Sequence, residues 1–256
     1  MTVARCMVNQ SSIHRPFLPA AFIILGAAFL AAAPLIAAQT KTNVRKPETP
    51  PATVSKQAVD ENKTAPDNTR YFYEFTQPEF LIRHITIQHD GTGRGKIAFK
   101  KKDDDTVIEE PIELSTSALG RVLGAWTDLR FLDSTESYQS DRQYPHLGTM
   151  RLKMERESLQ RTAEFNWTNN KSASLLANEY RRIAVQAVLI FDISVARESQ
   201  PLNAPKLMEE IELQLKLNGL SDPHQLIPLL KDISTDEHLP LIARNHALRL
   251  IKKIEK

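Results

Sequence analysis

The chain contains one cysteine, Cys6, and it lies ahead of every segment that could fold. Beyond it no thiol is available to form a disulfide, hold a metal as thiolate or act as a nucleophile. A domain built from the remainder must rely on its apolar core. Acidic residues are absent before Glu48. An excess of one charge is absent as well. Arg5 and Arg15 account for the formal charge of +2, and without them the basic residues balance the 31 acidic ones. Such neutrality gives no electrostatic case for a nucleic-acid partner.

One long hydrophobic run is present, Phe17 to Ala38, FLPAAFIILGAAFLAAAPLIAA. A basic start, an apolar helix and small residues at the exit are the layout of a secretory signal. The run is also long enough to cross a bilayer. Pro34 favours cleavage, because it breaks the helix and leaves Leu35 to Ala38 extended for a peptidase. Residues 1–38 are therefore expected to be a signal peptide removed after Ala38, or else a retained N-terminal membrane anchor. In both cases the bulk of the chain is exported. It is then periplasmic or extracellular, or held on the inner membrane, touching lipid only through residues 17–38 if these are uncleaved. Cys6 precedes the run, which argues against lipidation. Residues 39–70 hold Pro, Thr, Lys and Glu with few large apolar side chains. Such a segment buries too little surface to offset its ordering entropy and reads as a disordered linker.

Folded sequence is expected from Tyr71. Tyr71 to Phe75, Phe80 to His89, Gly95 to Lys100 and Thr106 to Leu114 read as strands, with Asp90-Gly91-Thr92-Gly93-Arg94 a hairpin turn. Pro111 cannot donate to a ladder and marks its strand as an edge. Leu119, Val122, Leu123, Trp126 and Leu129 then form one helical stripe, capped by Ser115 or Ser117. Gly120 and Gly124 would let this helix lie close to the sheet. Two further strands carry Met150, Leu152, Met154 and Ala163, Phe165, Trp167 inward, with polar residues between. One apolar and one polar face per strand indicates an antiparallel sheet covered on one side. Lys171 to Glu198 reads as a long helix. After Pro201 everything is helical, with Pro228 expected to kink or split a helix and Leu241, Ile242 and Leu248 among the apolar positions of the last one. The predicted class is α+β: an antiparallel sheet of about five strands packed on two helices over residues 71–200, followed by a small helical subdomain over 201–256.

Catalytic and metal motifs are not found. DGTGRGK at Asp90 to Lys96 has the glycines of a phosphate loop, but Ile97 replaces the required Ser or Thr and strands flank it on both sides. The Asp103-Asp104-Asp105 run lacks the alternating ligands of a calcium loop. His84 and His89 point to opposite faces of a strand, and no histidine pair has zinc spacing. No catalytic residue, cofactor or metal is assigned. The loop Asp133 to Gly148 is long for a connection within a domain. Tyr138, Arg142, Tyr144 and His146 make it the candidate binding surface; the competing reading is that the loop covers a sheet edge with its tyrosines packed.

The span from Phe80 to Ile183 resembles a family of uncharacterised exported bacterial domains. His89-Asp90-Gly91, Pro111-Ile112-Glu113-Leu114-Ser115 and Trp126 to Tyr138 carry that likeness. Leu226 to Lys253 looks like a single HEAT-type helical pair, through Leu229-Leu230 with Asp232 and Ala243-Arg244 with Ala247-Leu248. The export signal, the linker and the lack of catalytic motifs point to a non-catalytic binding or scaffolding module of the envelope, with an envelope protein as its expected partner. The alternative is a hydrolase of unrecognised type using His146 or His84 with a nearby carboxylate.

Overall fold

Period-two alternation builds one sheet. In a computed structural model, which describes residues 68–102 and 104–256, strands β1 (Arg70–Thr76), β2 (Ile82–Asp90), β3 (Arg94–Lys101), β4 (Ile108–Glu113), β5 (Thr149–Arg156) and β6 (Leu159–Phe165) pair antiparallel throughout. Their order is β4-β3-β2-β1-β5-β6. The first four strands form a meander, and the chain then returns to place β5 against the free side of β1. The expected signal or anchor, most of the expected linker and Asp103 lie outside the described residues. Among the described residues, no helix is long and apolar enough to cross a membrane.

Helices α1 (Thr116–Asp128) and α2 (Lys171–Ser199) cover one face of the sheet. Tyr73, Ile87, Ile97, Phe99, Leu152 and Phe165 from the strands meet Val122, Trp126, Leu176 and Tyr180 from these helices in a continuous core. The opposite face is laced with ion pairs, such as Arg151 to Glu74 at 2.9 Å and to Glu164 at 2.8 Å. The α+β class and the covered, antiparallel sheet are as the sequence indicates; among the described residues the sheet has six strands. Pro111 lies on β4, an edge strand as expected.

The C-terminal end of α2 leaves the sheet and enters a second core. There Leu189 and Ile193 pack with α3 (Ala204–Lys216), α4 (Ile227–Thr235) and α5 (Leu241–Ile254). Pro228 sits in the first turn of α4, where its missing N–H costs nothing, and the helical stretch is split just before it, a 3-10 turn Pro223–Leu226 preceding α4, as the sequence indicates. Two local expectations are corrected. Gly120 and Gly124 face open space, and a Cβ at either would meet nothing. Leu241, Ile242 and Leu248 are exposed, because α5 starts after Pro240 and turns Ala243, Ala247, Leu250 and Ile251 to the core.

Candidate functional site

Tyr138, Arg142, Tyr144 and His146 do not share one surface. The first half of their loop is anchored from below. Phe131 packs edge-on to Trp126 at 4.7 Å and stacks with Tyr138 at 6.0 Å. Arg161, on the inner face of β6, lies over both the Phe131 and Tyr138 rings. It donates to the Phe131 carbonyl at 2.7 Å, to the Tyr138 hydroxyl at 3.1 Å and to the Glu136 carbonyl. Tyr138 is buried and adopts φ 62°, a left-handed conformation costly for a tyrosine. The Arg161 clamp and the stacked rings hold it there.

The second half of the loop runs over the end of the sheet. Ser140 donates its N–H to the Trp167 carbonyl at 2.9 Å, and Asn166 donates its N–H to Gln139 Oε1 at 2.9 Å. Gln77, just past β1, donates to the carbonyls of Pro145 at 3.0 Å and His146 at 2.9 Å. The chain turns into β5 through Gly148 at φ 86°, where a Cβ would stand 2.6 Å from the Phe75 ring. These bonds fix the backbone and leave side chains outward. Arg142 and His146 are exposed and Tyr144 is half-buried. Trp167, expected in the core, is 44 % exposed. It lies beyond the last residue of β6, so the alternation that buries Ala163 and Phe165 no longer governs it. Its ring meets Tyr144 edge-on at 5.3 Å, and Tyr144 meets His146 at 6.0 Å. Phe80, 44 % exposed, packs on Phe75 at the same end of the sheet. Sequence reasoning missed Trp167 as a surface residue; the signal was Asn166-Trp167-Thr168-Asn169-Asn170, a polar break that ends the strand.

His89, Tyr180 and Trp126 form a buried polar network. His89 Nδ1 bonds the Asp90 carbonyl at 2.7 Å, and Nε2 bonds the Tyr180 hydroxyl at 2.8 Å. Trp126 Nε1 donates to that same hydroxyl at 3.0 Å. One proton arrangement satisfies all three: a neutral imidazole donates from Nδ1 and accepts at Nε2, while Tyr180 donates to it and accepts from Trp126. Tyr71 stacks on His89 and Tyr73 on Tyr180. Burial pushes the Tyr73 phenol up to about 12 and also raises that of Tyr180. Burial holds His89 below its ordinary value, against the opposing bond to Asp90. The side chains of this network are buried in the core.

The His89 shift predicts a pH dependence. The unfolded chain takes up its proton near pH 6.5, whereas the buried ring resists it. The contribution is therefore fully present above that pH and is lost as pH falls below it. Denaturant midpoints should decline from pH 7.5 to 5.5, and His89→Gln should flatten that decline. An unchanged slope in the variant would assign the decline to other groups.

His84, His146 and His246 lie on different elements, each with its own contacts. His84 bonds Glu74 at 3.0 Å on the outer sheet face, and the other oxygen of Glu74 is taken by Arg151. His146 faces Tyr144 and no carboxylate. His246 bonds Glu212 at 3.1 Å. Asp90 accepts from Thr92 and from the Arg94 N–H, so DGTGRGK is a hairpin turn. Among the described residues, no group of three or more His, Cys, Asp or Glu could hold a metal ion. Compared with known proteins, the chain matches no family model and no curated protein.

Proposed function

We propose that the chain is a non-catalytic binding or scaffolding module of the bacterial envelope. In this reading its partner, an envelope protein, docks on the aromatic end of the sheet. Tyr144, His146 and Trp167 supply the contact and Arg142 flanks it; Tyr138 serves as the buried anchor of the loop. The observation that carries the reading is the edge-to-face pair of exposed Trp167 and half-buried Tyr144, mounted on a backbone that Gln77, Gln139 and Asn166 hold fixed. Rigid aromatic side chains bury much area at small entropic cost and carry a large share of interface energy. The buried His89 and Tyr180 bond each other, and Glu179 is held by Arg121, Arg182 and Ser221, which favours binding over catalysis. In the same proposal the N-terminal apolar run exports the domain, and the helical pair α4–α5 acts as a HEAT-like cap on the second core.

The reading is tested with the double variant Tyr144→Ala, Trp167→Ala. Capture of a partner from envelope extract should fall at least tenfold, which is about 1.4 kcal/mol, with the melting temperature close to the parent's. Tyr138→Ala should instead destabilise the fold by about 3 kcal/mol through lost burial and an emptied Arg161 clamp. Undiminished capture by the double variant would remove the aromatic end as the docking surface.

A further inference from the structure

A cleft of about 290 Å³ opens between β4 and the α2 stretch from Ile183 to Ser194. Its wall is apolar: Ile112, Ile183, Ala187, Ile190 and Phe191. Its volume is near the lower end for small-ligand sites, about 300–1,000 Å³. Most polar groups around it already have partners. Gln186 donates to Gln225 Oε1 at 3.0 Å, and Gln225 donates to the Glu113 carbonyl at 3.1 Å. Ser221 donates to Glu179 at 2.6 Å and Ser194 to the Ile190 carbonyl at 3.0 Å.

Glu110 is the exception. On β4 it alternates with Glu109 and Pro111 and stands opposite Ile97, on the inward-facing side with Ile108 and Ile112. It is half-buried, lines the cleft, and its side chain makes no hydrogen bond or ion pair among the described residues. Its neighbours are answered on the outer side, Glu109 by Lys96 at 3.3 Å and Glu113 by Arg94 at 3.5 Å. A carboxylate without a cation on a part-buried residue, beside an aliphatic wall, matches a ligand with a cationic head and an apolar body. An added peptide strand fits poorly. Pro111 offers no N–H, and Gln225 already occupies the Glu113 carbonyl that an incoming strand would use.

We propose that this cleft binds a small amphiphilic amine, its ammonium group on Glu110 and its aliphatic chain against Ile183, Ala187 and Ile190. The site is separate from the aromatic end of the sheet and does not depend on it.

The test is calorimetric titration of the full chain, free of detergent, with n-hexylamine, n-hexanol and ammonium chloride. Hexylamine should bind at least about tenfold more tightly than either of the others, the size expected when a charged hydrogen bond is added to apolar contact. Glu110→Gln should remove that advantage and leave hexanol binding unchanged. Ala187→Phe should fill the cleft and abolish binding of both. Should that variant fail to fold, Glu110→Lys, which brings its own ammonium group, should abolish amine binding instead. Equal affinity for hexanol and hexylamine would overturn the proposal by making the cleft a purely apolar void. No heat with hexylamine at millimolar concentration would overturn it too, leaving Glu110 as an inward charge that guards an edge strand against self-pairing.

Discussion

Replacing Trp126 with alanine is expected to lower stability by about 3–5 kcal/mol, whereas the same change at Trp167 should alter it by less than about 0.5 kcal/mol. Trp126 is 2 % exposed and sits at the junction of three aromatic contacts, with Tyr71 at 5.6 Å, Phe131 at 4.7 Å and Tyr180 at 6.5 Å. Its removal leaves a cavity the size of an indole, walled by rings that cannot collapse into it without losing their own geometry. It also strips the Tyr180 hydroxyl of a donor in the interior, a further cost. Trp167 has one ring partner and water on its open side. The pair can be read separately by fluorescence. In Trp126→Phe the remaining emission should be red-shifted, and in Trp167→Phe it should be blue-shifted. Denaturant midpoints that fall equally for the two alanine variants would contradict this division of roles.

That division marks where the sequence was legible. Inside each strand the two-residue period is enforced by the pleat, so Met150, Leu152 and Met154 could be assigned to the core and were found there. Along α1 the stripe through Val122, Trp126 and Leu129 was equally plain, as was the Ser115 cap, which accepts from the Ala118 N–H at 3.2 Å. The periods end with their elements. Trp167 lies past β6, and Leu241 and Ile242 open α5, where the direction of a side chain is decided by tertiary packing. The site was less legible still. Tyr138 and Tyr144 share one polar loop, yet one is buried and the other half open, because Arg161 selects the first. An arginine between Gln160 and Thr162 gives no sign that it will reach under a loop more than twenty positions earlier in the chain. Long-range polar partners of this kind have no sequence period.

The joint between the two cores is the other place where such partners decide the structure. Glu179 on α2 is 5 % exposed and accepts from Arg121 on α1 at 2.8 Å, from Arg182 at 3.0 Å and from Ser221 at 2.6 Å. The two arginines also donate to the turn that follows α3, Arg121 to the Ser221 carbonyl at 2.7 Å and Arg182 to the Leu220 carbonyl at 2.7 Å. One carboxylate thus ties α1, α2 and the helical end of the chain together. A buried ion pair adds little net stability, since desolvation offsets attraction, but losing one side of it is costly. The double variant Arg121→Met, Arg182→Met leaves Glu179 uncompensated and should lose about 3–5 kcal/mol. Adding Glu179→Gln to that background should recover a large part of the loss, because a neutral amide is far cheaper to bury than an unpaired carboxylate. Glu179→Gln alone should be the mildest of the three, since both guanidinium groups are partly exposed and can be hydrated. A double-mutant cycle reads this coupling directly. If the triple variant is no more stable than the arginine double, the loss came from packing of the two arginine stems and the buried charge does not govern the joint.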